Sequence, residues 1–280
     1  MTTADLEPHA EPGAELVEKA RYFHSLHRPG KPLVLPNAWD VASARVVEAA
    51  GALAVATTSA GVAWSLGYAD GGRLTRQAGL AAVARIVRAV SVPVTADIER
   101  GYAEDPAGVA ETIRGVIAAG AVGVNLEDAL GPVPENAARI AAAREAAESL
   151  GVPLYINARI DTHRLPAAER GRRHEETVTR AAAYAAAGAS GVFVLDELDA
   201  QELAALAAEI TLPLNVAVGP GTLPVPELAA AGASRVSAGA SIAEAAYALA
   251  ARSARELLAT GTARELVSDL DWSALNALLT

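Results

Sequence analysis

The sequence predicts an α/β protein, a (β/α)8 TIM barrel of one domain over residues 1–280 with an extra C-terminal helix. Two interleaved repeats and the chain length predict it. The first repeat is a proline-led β-rich run: Lys31-Pro32-Leu33-Val34-Leu35, Val92-Pro93-Val94-Thr95-Ala96, Val152-Pro153-Leu154-Tyr155-Ile156 and Leu212-Pro213-Leu214-Asn215-Val216, with prolines 61, 60 and 60 residues apart. The second is an Ala-Gly-Ala signature at Gly51, Gly120, Gly188 and Gly232, where a helix ends and a strand begins. Glycine suits the left-handed residue just past a helix, and proline is tolerated at the first residue of a strand. Interleaved, the two series give eight strands separated by Ala/Leu/Arg-rich helical segments, and eight such units in 280 residues match a closed barrel. A doubly wound open sheet is the alternative, but no Gly-x-Gly-x-x-Gly follows a strand.

The elements follow in order. Residues 1–12 read as a loose polar leader and residues 14–27 as a helix ahead of the first strand. The strands are expected to end near Pro36, Thr57, Asp97, Glu127, Asn157, Leu195, Val218 and Ser237. An eighth helix is expected over 241–258. Beyond it, Thr262 to Leu279 carries Leu266, Leu270, Trp272, Leu275 and Leu279, an amphipathic helix with no obvious seat on a closed ring.

Composition narrows the function. With 52% hydrophobic and 20% charged residues the chain has material for a large core, and no apolar run reaches the roughly 18 residues of a membrane span. Acids at Asp5, Glu7, Glu11, Glu15 and Glu18 leave no signal-peptide pattern, so a cytoplasmic location is expected. A net charge of -10 argues against nucleic acid and anionic membranes as partners. Zero cysteines exclude disulfides, thiolate nucleophiles and thiolate metal sites. Lys19 and Lys31 are the only lysines, which excludes a Schiff-base lysine deep in the chain, and no two of the five histidines have helical zinc spacing.

In a barrel, chemistry stands at the C-terminal ends of the strands, and here those ends are acidic. The third strand runs into Asp97-Ile98-Glu99-Arg100-Gly101-Tyr102, the fourth into Glu127-Asp128 and the fifth into Arg159-Ile160-Asp161, while the loop after the second carries Asp70. If Asp97, Glu99 and Glu127 share one pocket, each pair at about 5 Å repels by roughly 3 kcal/mol at an effective dielectric near 20. An oxygen-preferring cation, Mg2+ or Mn2+, is the economical compensation, and Arg159 would offer a planar fork to a substrate carboxylate. Asp40 reads as a helix cap; Asp128 and Asp161 are open to the same reading. His163 and His174 read as part of a solvated face, and Gly219-Pro220-Gly221-Thr222 as a turn. Trp64 and Tyr68 either wall the pocket or pack their loop.

These stretches, with Pro36-Asn37-Ala38-Trp39-Asp40, Thr57-Thr58-Ser59-Ala60-Gly61, Gly123-Val124-Asn125-Leu126-Glu127-Asp128, Asn157-Ala158-Arg159-Ile160-Asp161 and Arg235-Val236-Ser237-Ala238-Gly239, resemble the isocitrate lyase and phosphoenolpyruvate mutase superfamily in order over about 30–240. The resemblance implies that Asp97 binds Mg2+ directly, that Asp70, Glu99 and Glu127 hold its waters, and that Thr58, Ser59 and Ala60 bind substrate through N–H groups and hydroxyls. It implies that Arg159 binds a carboxylate, and that metal and donors stabilise an enolate-type oxyanion of a 2-oxo acid.

The chain departs from that pattern in three places. Isocitrate and methylisocitrate lyases carry a Lys-Lys-Cys-Gly-His motif on a long loop after the fourth strand, whereas here only Ala129-Leu130-Gly131-Pro132-Val133-Pro134 intervenes before a helix. The mutases and phosphonopyruvate hydrolases also use a longer loop. Leu195-Asp196-Glu197-Leu198 replaces a Pro-Gly common after the sixth strand. The expected activity is therefore a Mg2+-dependent carbon-carbon lyase acting on a small 2-oxo acid or dicarboxylate, with oxaloacetate decarboxylation as the simplest case. The alternatives are a phosphonopyruvate or phosphoenolpyruvate mutase or hydrolase, a class II pyruvate aldolase, and a non-catalytic 2-oxo-acid binding protein. Relatives of this kind swap a C-terminal helix, which implies a homodimer or homotetramer.

Overall fold

The computed structural model describes residues 13–195 and 198–280, so the expected leader and Asp196-Glu197 lie outside the described residues. Helix α1 (Ala14–Ser25) precedes β1 (Leu33–Leu35) and β2 (Asn37–Ala38). There follow α2 (Val41–Ala49), β3 (Val55–Thr57), α3 (Ser59–Ser65), α4 (Arg76–Ala89), β4 (Val94–Asp97), α5 (Pro106–Ala118) and β5 (Gly123–Glu127). The chain continues through α6 (Val133–Ser149), β6 (Tyr155–Ile160), α7 (Arg173–Ala186), β7 (Gly191–Val194), α8 (Ala200–Glu209), β8 (Leu214–Ala217), α9 (Val225–Ala230) and β9 (Arg235–Ser237). Helices α10 (Ser241–Thr260) and α11 (Trp272–Leu279) complete it.

All sheet neighbours are parallel, in the order β1-β9-β8-β7-β6-β5-β4-β3-β2. Nine segments occupy eight barrel positions because Pro36 splits the first strand. Having no N–H for the ladder, it separates β1, which pairs with β9, from β2, which pairs with β3. The run from Leu33 to Ala38 thus closes the barrel. Each Ala-Gly-Ala glycine takes the left-handed conformation expected of it, with φ of 94°, 87°, 97° and 108° at Gly51, Gly120, Gly188 and Gly232.

The helices cover the outer faces of the strands, where Val124, Ile156, Val192 and Val216 are buried against side chains such as Ile113, Val116 and Leu203. A fully buried aliphatic side chain of this kind contributes about 1.5–3 kcal/mol. Below the strands α1 plugs the barrel: Phe23 meets Tyr155 edge-on at 5.5 Å, and His27 stacks on Tyr155 at 3.9 Å. Burial, with Arg235 nearby, pushes the His27 imidazole down to about 3, which keeps it neutral.

Two expectations are corrected. The fifth strand does not stop near Asn157 but continues to Ile160, because Asn157, Ala158, Arg159 and Ile160 all pair with β7. The extra helix does not span 262–279. Gly261 ends α10 at φ 68°, and the Glu256 carboxylate accepts from the backbone N–H groups of Arg264 and Glu265, which ties the next residues into a turn. Only Trp272–Leu279 is helical, capped by the Asp271 side chain accepting from Ala274 N–H. It does find a place on its own barrel, against α2, where Arg45 Nε donates to the Leu278 carbonyl. That contact buries none of its residues fully: Trp272 remains 79% exposed.

Candidate active site

The C-terminal ends of the strands enclose a cavity of about 420 Å3 lined by Thr58, Ser59, Ala60, Asp70, Asp97, Glu99, Glu127 and Arg159, all eight predicted site residues. Strand parity explains why these meet. Asp97 ends β4, and Glu127 and Arg159 are register partners at the ends of β5 and β6. Asp97 is held by one acceptor and two donors. Its backbone N–H donates to Thr57 Oγ1 at 2.8 Å, Glu99 N–H donates to its Oδ1 at 3.2 Å, and Ser59 N–H also donates to its carboxylate.

The segment after Asp97 turns tightly. Glu99 and Tyr102 adopt φ of 51° and 49°, and Gly101 at 87° has no room for a Cβ, which would lie 2.8 Å from Val109 Cγ2. Such backbone strain at non-glycine residues clusters at functional sites. Arg139 fixes the turn by donating to the carbonyls of Arg100 at 3.0 Å and Ala103 at 2.9 Å. The turn aims Glu99 inward. Its Oε2 accepts from Gly72 N–H on the loop that carries exposed Asp70, and its buried Oε1 has no partner among the described residues.

Burial raises the carboxyls of Asp97 and Glu99 above the usual carboxylate range, and neighbouring acids add to both shifts. Glu127 is pushed up to about 7 by burial and by Asp97, Asp161 and Glu99, against the pull of Arg159. Burial lowers Arg159, but Asp161, Glu127 and Asp97 outweigh it and the guanidinium is held more firmly protonated than usual. Its Nη1 lies 2.7 Å from Glu127 Oε2, Nε donates to Asp161 Oδ1 at 2.7 Å and Nη2 to Asp161 Oδ2 at 3.2 Å. Of its five N–H donors, one on Nη1 and one on Nη2 have no partner among the described residues and remain for a ligand.

Asp161 and Asp128 are therefore not helix caps. Asp161 is fully buried and clamps Arg159; it directly follows β6, two residues past Arg159, and that spacing at a strand end is the signal that could have revealed the pair. Asp128 accepts from Asp161 N–H at 3.1 Å and Leu130 N–H at 3.0 Å through Oδ1, and from Arg180 Nη1 and Tyr184 OH, both at 2.9 Å, through Oδ2. It thereby fixes the short loop after β5. Asp40 is a cap, in a capping box with Ser43. His174 is exposed and pairs with Glu209, and Thr222 closes its turn on Gly219. Trp64 packs on Tyr247 at 6.2 Å rather than lining the cavity.

The sequence reading missed the other half of the lining. Phe193, Leu195, Ala217, Ser237, Gly239 and Ala240 come from β7, β8, β9 and the residues following them, and Asn125 forms part of the floor. None of these carries a charge, so a search for ionisable clusters passes over them; the one charged lining residue also missed is Arg164, at the exposed rim after β6.

The sequence pattern of the phosphoenolpyruvate phosphomutase family matches residues 23–258, with the acids and Arg159 inside the match. The chain belongs to this family. It lies in the phosphoenolpyruvate mutase/isocitrate lyase superfamily, whose members are Mg2+-dependent lyases and mutases. An uncharacterized protein of Mycobacterium tuberculosis (strain ATCC 25618 / H37Rv) is 40% identical over 220 residues, covering 78% of this chain and 81% of its own length. A Burkholderia cenocepacia J2315 structure, provisionally described as a phosphonomutase, is 47% identical with a TM-score of 0.80, over 84% of this chain and 98% of that one. An oxaloacetate decarboxylase of Rhodopseudomonas palustris (strain BisB5) is 32% identical over 145 residues, 50% of this chain and 49% of that protein. No helix among the described residues is long and apolar enough to cross a membrane.

Proposed function

We propose that this family member is a Mg2+-dependent lyase that breaks a carbon-carbon bond in a small 2-oxo acid, with oxaloacetate decarboxylation as the simplest case. One observation carries the reading: the cavity mouth is divided. Its β3–β6 side holds Thr58, Ser59, Asp97, Glu99, Glu127 and Arg159, with Arg164 at the rim just after β6 and 3.8 Å from Asp161, while its β7–β9 side offers Phe193, Leu195, Ala217 and Ser237 and, among the described residues, no cation. A dianionic phosphonate or phosphoryl group needs cationic or clustered N–H partners on leaving or moving. A carboxylate that departs as neutral CO2 needs none, and an apolar wall favours its loss of charge.

Among the described residues no three metal-ligating side chains converge on one point. The all-oxygen donor set and the unpartnered Glu99 Oε1 nevertheless fit a hard cation that keeps most of its waters. Asp97 would hold it directly, with Asp70, Glu99 and Glu127 reaching its waters. When bound, Mg2+ supplies Lewis acidity and charge compensation for the acids. The two free N–H groups of Arg159 bind the substrate carboxylate, and Thr58, Ser59 and Ala60 orient it. As the bond to C3 breaks, its electron pair forms the C2–C3 double bond and the 2-oxo oxygen gains the negative charge. CO2 leaves, and a proton from water at C3 completes pyruvate.

The test is a panel of oxaloacetate, 2-alkylmalates and phosphonopyruvate with pyruvate, glyoxylate and phosphate detection, run with and without Mg2+ against protein-free blanks. Pyruvate from oxaloacetate above the metal-only background is expected. Phosphate release from phosphonopyruvate would establish hydrolase chemistry instead, its conversion to phosphoenolpyruvate without phosphate release mutase chemistry, and ligand binding without turnover a binding protein.

The assembly that accompanies this reading is a cytoplasmic homodimer or dimer of dimers. Its support is the apolar surface that α10 and α11 leave open, including Leu258 at 89% and Trp272 at 79% exposure. A monomer by light scattering at micromolar concentration would overturn it.

A further inference from the structure

A polar chain crosses the barrel interior directly beneath the cavity. Asn125, Asn157, Asn215 and Arg235 point inward from β5, β6, β8 and β9, and each is at least nine-tenths buried. Arg235 makes no salt bridge among the described residues. Its single side-chain hydrogen bond runs from Nη2 to Asn125 Oδ1 at 3.1 Å, and Nε and Nη1 are buried without partners. The same Asn125 oxygen accepts from Asn157 Nδ2 at 2.9 Å. Asn157 Nδ2 donates also to Asn215 Oδ1 at 2.9 Å, and Asn215 Nδ2 donates to Ser237 Oγ at 3.1 Å.

Three carboxamides and a hydroxyl could run in either direction, since each amide can turn over and exchange donor for acceptor. Both ends of the chain remove that freedom: Asn215 Nδ2 donates to the backbone carbonyls of Val216 at 2.9 Å and Arg235 at 3.3 Å, which can only accept, and the Arg235 guanidinium stands at Asn125. A guanidinium has donors only, so the Asn125 atom facing it must be the oxygen, and Nδ2 must lie on the other side. There Nδ2 has no acceptor among the described residues, yet it is not among the buried polar atoms that lack a partner. It is therefore open to the cavity that Asn125 lines. Asn125 stands beside Asp97 in register and two residues below Glu127 on the same strand face.

We propose that Asn125 is a catalytic residue whose Nδ2–H donates to the substrate oxygen that gains charge during bond cleavage, and that Arg235 is a positioning residue that, together with the backbone-anchored Asn215–Asn157 chain, fixes this donor toward the cavity. The assignment rests on the 2-oxo acid reading above. Within a ring of four acids, a neutral amide is a donor that no change of protonation removes. Held before the reaction starts, it strengthens as charge develops on its acceptor. Arg235 adds its own positive charge behind the amide in a water-poor interior.

The experiment compares oxalate, which resembles the charged enolate, with pyruvate, which resembles the uncharged ketone, by calorimetry in Mg2+, alongside steady-state kinetics. Asn125→Leu removes the donor, but it also strips Arg235 of its only partner; Asn125→Asp keeps the acceptor for Arg235 and Asn157 and guards against a folding failure. In both variants the oxalate dissociation constant should rise by about tenfold or more, the range for a hydrogen bond to a charged group. In Asn125→Leu the pyruvate constant and KM should change little, so that the loss falls on kcat. Arg235→Met should give a smaller loss of the same kind, and the double variant Asn125→Leu/Arg235→Met should be no worse than Asn125→Leu alone. Unchanged oxalate affinity in a folded Asn125→Asp protein, or additive losses in the double variant, would overturn the assignment while leaving the 2-oxo acid reading intact. A wild-type protein that binds neither oxalate nor pyruvate would overturn both.

Discussion

The two halves of the barrel mouth are made from the same strand-turn-helix unit and carry opposite chemistry. From β3 to β6 the strand ends present a hydroxyl pair, three acids and a clamped arginine, each tied to its neighbours by hydrogen bonds. From β7 to β9 they present Phe193, Leu195, Ala217 and Ser237, none of them ionisable. The ionic half has to hold charge in place before reaction. The neutral half has only to exclude water from whatever leaves. Nothing in the barrel scaffold imposes this division, which comes from a handful of side chains at strand ends.

The largest test of that contrast is Asp97→Ala. It is expected to abolish Mn2+ binding in titration calorimetry with oxalate present, while Phe193→Leu across the mouth keeps it. Equal binding in wild type and Asp97→Ala would move the cation elsewhere. Next comes the clamp. Asp161→Asn leaves a buried guanidinium short of its main counter-charge, and urea unfolding should show a loss of about 3 kcal/mol, the scale for breaking a buried pair. A loss below about 0.5 kcal/mol would show that Glu127 alone suffices.

Arg159→Lys tests the fork itself. A lysine cannot reproduce two parallel N–H donors, so affinity for pyruvate or oxalate should fall by about 1.5–3 kcal/mol. An unchanged constant would place the carboxylate anchor on another residue. The smallest effect concerns pH. Glu127 is pushed up to about 7, and Asp97 and Glu99 are raised as well. Between the ordinary carboxylate range and about pH 7 the folded chain binds more protons than the unfolded one, so the metal-free protein should lose stability as pH rises through that window. Melting temperatures from about pH 5 to 7.5 should fall by a few degrees, with a shallower slope in Glu127→Gln. Parallel slopes would assign the effect to Asp97 and Glu99.

The sequence by itself determined the barrel and the ionic half of its mouth. Both are written in local patterns: prolines at strand starts, glycines past helix ends, and acids at the next strand ends, each fixing its own stretch of backbone. The start of α1 at Ala14 and the Asp40 cap were legible for the same reason. The role of Asp161 stayed open because a carboxylate at a strand end looks alike whether it meets a backbone N–H or a guanidinium. The single strand of the sequence became β1 and β2, and the last helix shortened to Trp272–Leu279, because cross-chain hydrogen bonds and the Glu256 turn decide such boundaries. Only the tertiary structure could assemble the neutral half and the floor. Phe193 and Ala217 have no local signature of function, and Asn125 and Arg235, although inside stretches that carry the resemblance, have no role legible there; what gives them roles is barrel closure, which brings residues as far apart as 125 and 235 within one hydrogen bond. A chain pattern records which way a side chain points from its own strand, and the partner it meets across the barrel is set by the register of all the strands together.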